Sequence, residues 1–179
     1  MNEMIYILGG VNDDKYLDTN EAYDTNANSW SGKAAMPTAR AGLGLTAVEG
    51  KIYAIGGLNR LNAYGFQNSL QTVEVYNPAV DIYTTEREYI TSRSSLGVVN
   101  ANGKIYAVGG FNGSAYLNTV EEYDDFRWRL KVGMPTARKG LGVASVDGKI
   151  YAIGGFNGSY LNTVEEYNPS TNTWSTKAG

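Results

Sequence analysis

The chain has 179 residues, 42% hydrophobic and 12% aromatic, which is enough apolar content to bury a core and excludes a disordered chain. Lysine and arginine total 15 against 18 aspartates and glutamates, so the net charge of −3 gives no counterion-release drive toward nucleic acid or anionic lipid. Cysteine and histidine are both absent, which removes disulfides, thiolate and Ser-His-Asp nucleophiles, and the usual zinc, haem and copper ligand sets.

Taken in chain order, residues 5–10 form an apolar strand closed by Gly9-Gly10, residues 19–23 a second, and the segment from Trp30 a third. A second unit follows with strands over 43–48, 51–57, 72–76 and from Tyr83 onward. A third has 96–100, 104–110, 119–123 and the run from Trp128. The last is the clearest. Gly140 to Val146 is a small-residue apolar strand, and Asp147-Gly148 is a two-residue hairpin turn. Residues 149–155 end in another glycine pair, 163–167 form the next strand, and 168–172 turn into a polar strand at Trp174. The glycine pairs at 9–10, 56–57, 109–110 and 154–155 recur at spacings of 47, 53 and 45 residues, the signature of stacked supersecondary units. Each unit reads as four strands without a helix, and the first lacks its first strand. Ile52-Tyr53-Ala54-Ile55 is apolar at both phases, as expected of a sheet covered on both faces by its neighbours. A ring of radially packed blades meets that demand, with small residues such as Gly42, Gly44 and Ala47 where inner strands crowd the axis.

A double glycine after an apolar strand, a Val-Glu-x-Tyr strand, an Asn-Pro turn, Trp or Tyr seven residues beyond the tyrosine, and then Met-Pro-x-x-Arg together resemble the kelch repeat family. The resemblance covers essentially the whole chain and implies a β-propeller, usually of five to seven blades. The departures are local: Tyr83 stands where the other units have tryptophan, the turn before Trp128 is two residues short, and Tyr89-Ile90-Thr91-Ser92-Arg93 replaces Met-Pro-Thr-Ala-Arg. We expect one all-β domain over residues 1–179, in units of about 1–36, 37–89, 90–134 and 135–179. Its fifteen blade strands make three and three-quarter blades of four antiparallel strands. Ring completion is expected from sequence outside these residues or from a second copy in a homodimer.

The glycine pairs read as structural, since no helix follows to bind phosphate and Gly42-Leu43-Gly44 lacks the third glycine of a dinucleotide loop. Glu21, Glu74, Glu121 and Glu165 recur in every unit and read as buried hydrogen-bond acceptors, and the recurrent tyrosines and tryptophans as packing between blades. The loops after each glycine pair vary, and they carry Tyr16, Asn59, Tyr64, Phe66, Asn112, Tyr116, Asn157 and Tyr160. By resemblance these loops share a face with Arg40, Arg93 and Arg138, whose counterparts in kelch proteins that bind acidic peptides line the channel mouth. We therefore expect a non-enzymatic scaffold binding a protein or peptide, acidic in character, through these eleven residues. The alternative implied by resemblance is a carbohydrate-binding domain like the kelch-type sialic acid mutarotases. Copper-radical galactose oxidases share the architecture by resemblance, but they need the histidine and cysteine missing here. No cofactor, metal, nucleic acid or membrane partner is expected. No apolar run approaches the roughly 18 residues of a membrane span, and Met1 leads almost directly into a repeat, so the expected location is cytoplasmic.

Overall fold

In a computed structural model, residues 4–13, 15–61, 67–86, 91–124 and 127–178 are described. Their strands fall into a fan of four antiparallel sheets and two separate two-stranded hairpins. Blade I contains β1 (Met4–Leu8), which leads through the short hairpin β2 (Val11–Asn12) and β3 (Lys15–Tyr16) to β4 (Asn20–Asp24) and β5 (Ser29–Gly32). Its sheet has three strands in the order β1-β4-β5, so the innermost strand found in the other blades is missing, as its sequence predicts. Blade II comprises β6 (Gly44–Val48), β7 (Lys51–Ile55), a hairpin of β8 (Leu58–Leu61) and β9 (Gln67–Ser69), β10 (Val73–Asn77) and β11 (Ile82–Thr85). Blade III comprises β12 (Gly97–Ala101), β13 (Lys104–Val108), β14 (Val120–Asp124) and β15 (Arg127–Lys131). Blade IV comprises β16 (Gly142–Val146), β17 (Lys149–Ile153), β18 (Val164–Asn168) and β19 (Thr173–Lys177). In blades II to IV the first strand is innermost and the last outermost, and β12 lies against both β6 and β16 around the hub.

The turns follow from their residues. Asp147-Gly148 has φ of 51° and 72°, both left-handed, which is the conformation a two-residue hairpin needs to match strand twist. At the rim, Tyr23 and Trp30, Tyr76 and Tyr83, Tyr123 and Trp128, and Tyr167 and Trp174 sit directly opposite one another on paired strands. Their ring centroids are 5.0, 5.0, 5.1 and 5.1 Å apart. The separation, seven residues in three blades and five between Tyr123 and Trp128, is therefore a register device: each places two large rings side by side across the outer pair of strands.

Among the described residues three apolar clusters lie between blades, each drawing on two neighbouring sheets. Leu8, Met36, Ile52, Ala54 and Tyr76 join blades I and II. Ile55, Val73 and Val75 meet Leu96, Ile105 and Ala107 between II and III. Tyr106, Val108, Val120 and Met134 meet Leu141, Ile150, Ala152 and Tyr167 between III and IV. Hooks at the rim add to this packing. Asp81 Oδ1 accepts the Tyr76 hydroxyl at 2.7 Å and the Ala34 amide of the preceding blade at 2.8 Å. Asn172 Oδ1 likewise accepts Tyr167 at 2.7 Å and the Val132 amide at 3.1 Å, while Trp174 Nε1 donates to the Val132 carbonyl at 2.9 Å.

The two end blades are different. Ile5 and Ile7 of β1 are 53% and 49% exposed, whereas their repeat counterparts Ile52 and Ala54 are 9% and 0% exposed. Trp30 is also exposed, and on the far face of blade IV Ile153 is open where its counterparts Leu8, Ile55 and Val108 are buried. Each end thus presents the kind of face that neighbouring blades cover elsewhere in the fan.

Candidate functional site

The Gly-Gly ends of the four sheets lie on one face, and what each end can do depends on the arginine that follows. Arg40, Arg93 and Arg138 are fully buried. Arg40 Nη1 meets Glu74 Oε2 at 2.7 Å, Arg93 Nη2 pairs with Glu121 Oε1, and Arg138 Nη2 lies 2.8 Å from Glu165 Oε2. The Arg138 contact is an ion pair without the alignment of a good hydrogen bond, since neither atom has a hydrogen-bond partner. Other guanidinium nitrogens go to backbone: Arg40 donates to the Thr38 and Ala54 carbonyls at 3.3 and 3.1 Å, while its Nε has no partner among the described residues. Arg93 donates to the Gly109 and Thr119 carbonyls at 3.1 Å each and to Thr91 at 3.2 Å, and Arg138 donates to Gly154 at 2.9 Å and Thr163 at 3.3 Å. Thr38 and Thr136 hydroxyls add 2.6 Å bonds to Glu74 and Glu165.

This corrects the expectation that the arginines grip a partner. Desolvating a guanidinium is costly, and each is compensated by a carboxylate of its own blade together with carbonyls at strand ends. They are braces under the loops. None of these three guanidiniums is free to clamp the carboxylate of an acidic sugar. Glu74, Glu121 and Glu165 are the buried acceptors the sequence predicts, whereas Glu21 is exposed and makes no ion pair among the described residues.

The exposed part of the face is aromatic. Phe111 and Tyr116 are bridged across the third loop with centroids 5.5 Å apart, and Phe156 and Tyr160 across the fourth at 5.3 Å. Tyr116 meets Phe156 edge-on at 5.8 Å, which joins the two loops into one row. Lys139 Nζ sits 4.8 Å from the centroid of Phe111 and 5.8 Å from that of Tyr116, within cation–π range. Tyr160 ends the row with 92% of its surface exposed. A cavity of about 350 Å³ adjoins it, lined by Lys139, Gly140, Gly155, Phe156, Tyr160 and Leu161 among others.

Of the other sequence-predicted residues, Asn112 is committed to its turn, its Oδ1 accepting amides of Ser114 at 3.0 Å and Ala115 at 2.8 Å. The Asn157 amide closes the fourth loop onto the Ser159 carbonyl at 3.2 Å. Asn59 Oδ1 accepts Asn68 Nδ2 at 3.1 Å across the β8–β9 hairpin, and Tyr16 pairs with Val11 in the first loop. Tyr64 and Phe66 lie outside the described residues. The structure therefore brings together Tyr116 and Tyr160, and it adds Phe111, Phe156 and Lys139. Lys139 was missed because a residue following a buried arginine carries no motif; its position between two aromatic loops was the only signal.

Away from this face, Glu166 accepts the Tyr151 hydroxyl at 2.7 Å and lies 3.1 and 3.2 Å from the ammonium groups of Lys149 and Lys177. The Tyr151 hydrogen bond, with the lysines behind it, holds the carboxyl down at about 2. Burial, then the charge of Glu122, pushes the Tyr167 hydroxyl up to about 12. Among the described residues no group of three or more acidic side chains is placed to hold a metal.

Comparison with known proteins gives three further findings. The family model described as the KLHDC2/KLHL20/DRC7 Kelch-repeats domain matches residues 1–178. The chain is 40% identical over 118 residues to zebrafish (Danio rerio) Kelch-like ECH-associated protein 1A, covering 65% of this chain and 19% of that protein. It is 36% identical over 103 residues to human Kelch-like protein 28, covering 56% of this chain and 18% of that protein. The chain thus spans about a fifth of the length of these curated relatives. The solved structure of YjhT superposes with a TM-score of 0.83 at 19% identity, covering 99% of this chain and 63% of that one, a likeness of fold.

Proposed function

Starting from the fact that this chain belongs to the kelch-repeat family, matched over residues 1–178, we propose that it is a non-enzymatic protein-binding scaffold whose loop face holds a partner segment. Kelch-like relatives of similar sequence support a protein-binding role in general. The observation that carries the finer reading is the row Phe111, Tyr116, Phe156 and Tyr160 with Lys139 laid over it. Tyr160, exposed, and the half-buried Tyr116 on a braced scaffold supply contact area at low entropic cost. Lys139, the cation within the row, suits a partner segment carrying aspartate or glutamate beside an apolar residue. The buried Arg-Glu pairs hold the loops at fixed spacing beneath that row, so the arginines serve recognition by positioning. We place this activity in the cytoplasm, in keeping with a chain that has no cysteine.

The test is selection of peptide ligands on the intact chain from a displayed library. Enriched peptides should carry acidic residues, and their affinity should fall about tenfold or more in Tyr160→Ala and in Lys139→Glu, which is about 1.4 kcal/mol. The thermal midpoint should hold in Tyr160→Ala, which is exposed, and fall by no more than the loss of one cation–π contact, about 0.5–1 kcal/mol, in Lys139→Glu. Failure to enrich any peptide, or binding indifferent to both changes, would refute the assignment.

A further inference from the structure

The junction of blades III and IV satisfies its own polar groups. Tyr106 donates its hydroxyl to Glu122 at 2.6 Å, and the ammonium groups of Lys131 and Lys104 stand 3.4 and 3.7 Å from that carboxylate. Tyr167 meets Tyr106 from blade IV with centroids 6.1 Å apart, and its hydroxyl goes to Asn172, five residues on. The turn residue Asn102 lies against Gly148, its Nδ2 2.5 Å from where a Cβ would stand, so the mouth of this junction is filled.

Between blades II and III each of these arrangements is altered. Tyr53 and Tyr123 take the places of Tyr106 and Tyr167, with centroids at the same 6.1 Å. Val75 pairs with Tyr53 where Glu122 pairs with Tyr106, so the Tyr53 hydroxyl has no carboxylate opposite it and makes no hydrogen bond among the described residues. Five residues beyond Tyr123 the shortened turn has already reached Trp128, and the acceptor that Asp81 and Asn172 give to Tyr76 and Tyr167 is lacking. The Tyr123 hydroxyl reaches Glu86 of blade II at a loose 3.5 Å. Glu86, bonded through its amide to Val73, stands where Lys131 and Lys177 stand opposite Val120 and Val164. In the turn Glu49 replaces Asn102, and nothing lies within 4 Å of where a Cβ on Gly103 would be. The result is a cavity of about 220 Å³ lined by Val48 and Ile105, the two tyrosines, Glu49 and Asp124. Asp124 is taken by Lys104 at 2.7 Å and Arg129 at 3.3 Å, whereas Glu49 and Glu86 make no ion pair among the described residues. Their charge reaches the cavity: burial, then Glu86 and Glu49, pushes the Tyr53 hydroxyl up, and burial, then Glu86, pushes Tyr123 up to about 12.

We propose that this cleft between blades II and III binds a guanidinium group carried on an aliphatic stem. Such a group supplies the cation that the exchange of lysine for Glu86 has removed. Its plane stacks on a tyrosine face while its several in-plane donors serve the Glu86 carboxylate and the two phenolic oxygens. Glu49 adds charge at the mouth, and the stem lies along Val48 and Ile105, which are 9% and 1% exposed. A carboxylate or phosphate is repelled here, and a neutral guest leaves the two glutamates unpaired. The cleft opens beside the Glu49 and Gly103 turns, at the strand ends away from the glycine pairs, so the proposal is independent of what the aromatic row binds.

The experiment titrates n-butylguanidinium into the intact chain and follows the amide resonances. We expect saturable shifts centred on Tyr53 and Gly103 at millimolar probe, and far weaker binding of N-butylurea, the uncharged analogue of the same shape. Glu86→Gln should reduce affinity about tenfold or more, a loss of about 1.4 kcal/mol, because a charge-assisted bond is gone. Glu86 gives up only a loose contact to Tyr123, so the thermal midpoint of that variant should hold. Glu21→Gln removes the same charge from an exposed position in blade I and should leave binding unchanged, which separates a local site from the pull of the net negative charge. A blocked Gly-Arg-Gly peptide distinguishes the sources: binding as tight as the probe's assigns the cleft to an arginine of a partner segment, and its exclusion assigns the cleft to a free small guanidinium compound. Three results would overturn the proposal: no saturable shift at millimolar probe, equal binding of N-butylurea, or an affinity indifferent to Glu86→Gln.

Discussion

Replacing Arg93 by methionine should be among the most damaging single changes in the protein. Glu121, itself fully buried, would lose the cation that compensates its desolvation, and the carbonyls of Gly109 and Thr119 would lose donors now at 3.1 Å. Breaking a buried pair from one side costs about 3–5 kcal/mol, because the surviving charge cannot reach water. Each stranded carbonyl can add about 1–3 kcal/mol unless water enters, so the pair penalty is a lower bound. At about 2–4 °C per kcal/mol for a domain of this size, the thermal midpoint should fall by at least roughly 6–20 °C. Urea unfolding gives the comparison directly. Arg93→Met with Glu121→Leu should recover part of the loss, as the orphaned charge is gone while the carbonyls remain unserved. Glu21→Gln removes the same residue type from an exposed position that makes no ion pair among the described residues, and should stay within about 0.5 kcal/mol. If Arg93→Met cost no more than the roughly 0–1 kcal/mol of a surface pair, the bracing role would be wrong.

Acid should act through Glu166. Its folded value of about 2 lies below the ordinary 4.5, so its contribution is present above pH 4.5 and is lost as pH falls toward 2. Glu166→Gln should flatten the pH dependence of stability across that window, and an unchanged slope in urea titrations at stepped pH would count against it. The glycine pairs offer a matched comparison. Gly109 and Gly154 share φ near 62° and 61°, so alanine at either carries a left-handed backbone cost of about 1–2 kcal/mol. At Gly109 the added Cβ would also stand 2.7 Å from the Arg138 carbonyl and 2.9 Å from the Met134 methyl, whereas at Gly154 nothing is closer than 3.4 Å. Gly109→Ala should therefore be clearly the worse of the two by thermal melting, and equal effects would refute the steric argument.

Much of the fold was legible because its signals repeat. Apolar runs, glycine pairs and the recurrent tyrosine and tryptophan positions placed all fifteen blade strands and the absent innermost strand of blade I. The β2–β3 and β8–β9 hairpins were read as loops, since Asn12, Lys15, Asn59 and Asn68 carry no strand signature and only cross-strand pairing fixes them. The arginines were misread for a different reason. In sequence, Arg93 and Glu121 belong to separate motifs 28 residues apart, and nothing local says that one points at the other. Their shared period was the available clue, because a charge and its opposite recurring together in every complete blade are more economically paired inside than displayed outside. The aromatic row was half legible: Tyr116 and Tyr160 stood out as loop residues, but their union through Phe156 depends on how two neighbouring loops lean.

The rim hooks of Asp81 and Asn172 bear on how the fan moves. Because one side-chain oxygen grips both a tyrosine of its own sheet and the amide chain of the sheet before it, blades I and II, and blades III and IV, are fastened at the perimeter as well as toward the hub. Two attachment points at different radii remove the easy rocking mode that a single central joint would leave. Whatever settles on the loops meets a surface whose spacing is set beforehand, and its affinity is not spent on stilling the blades beneath.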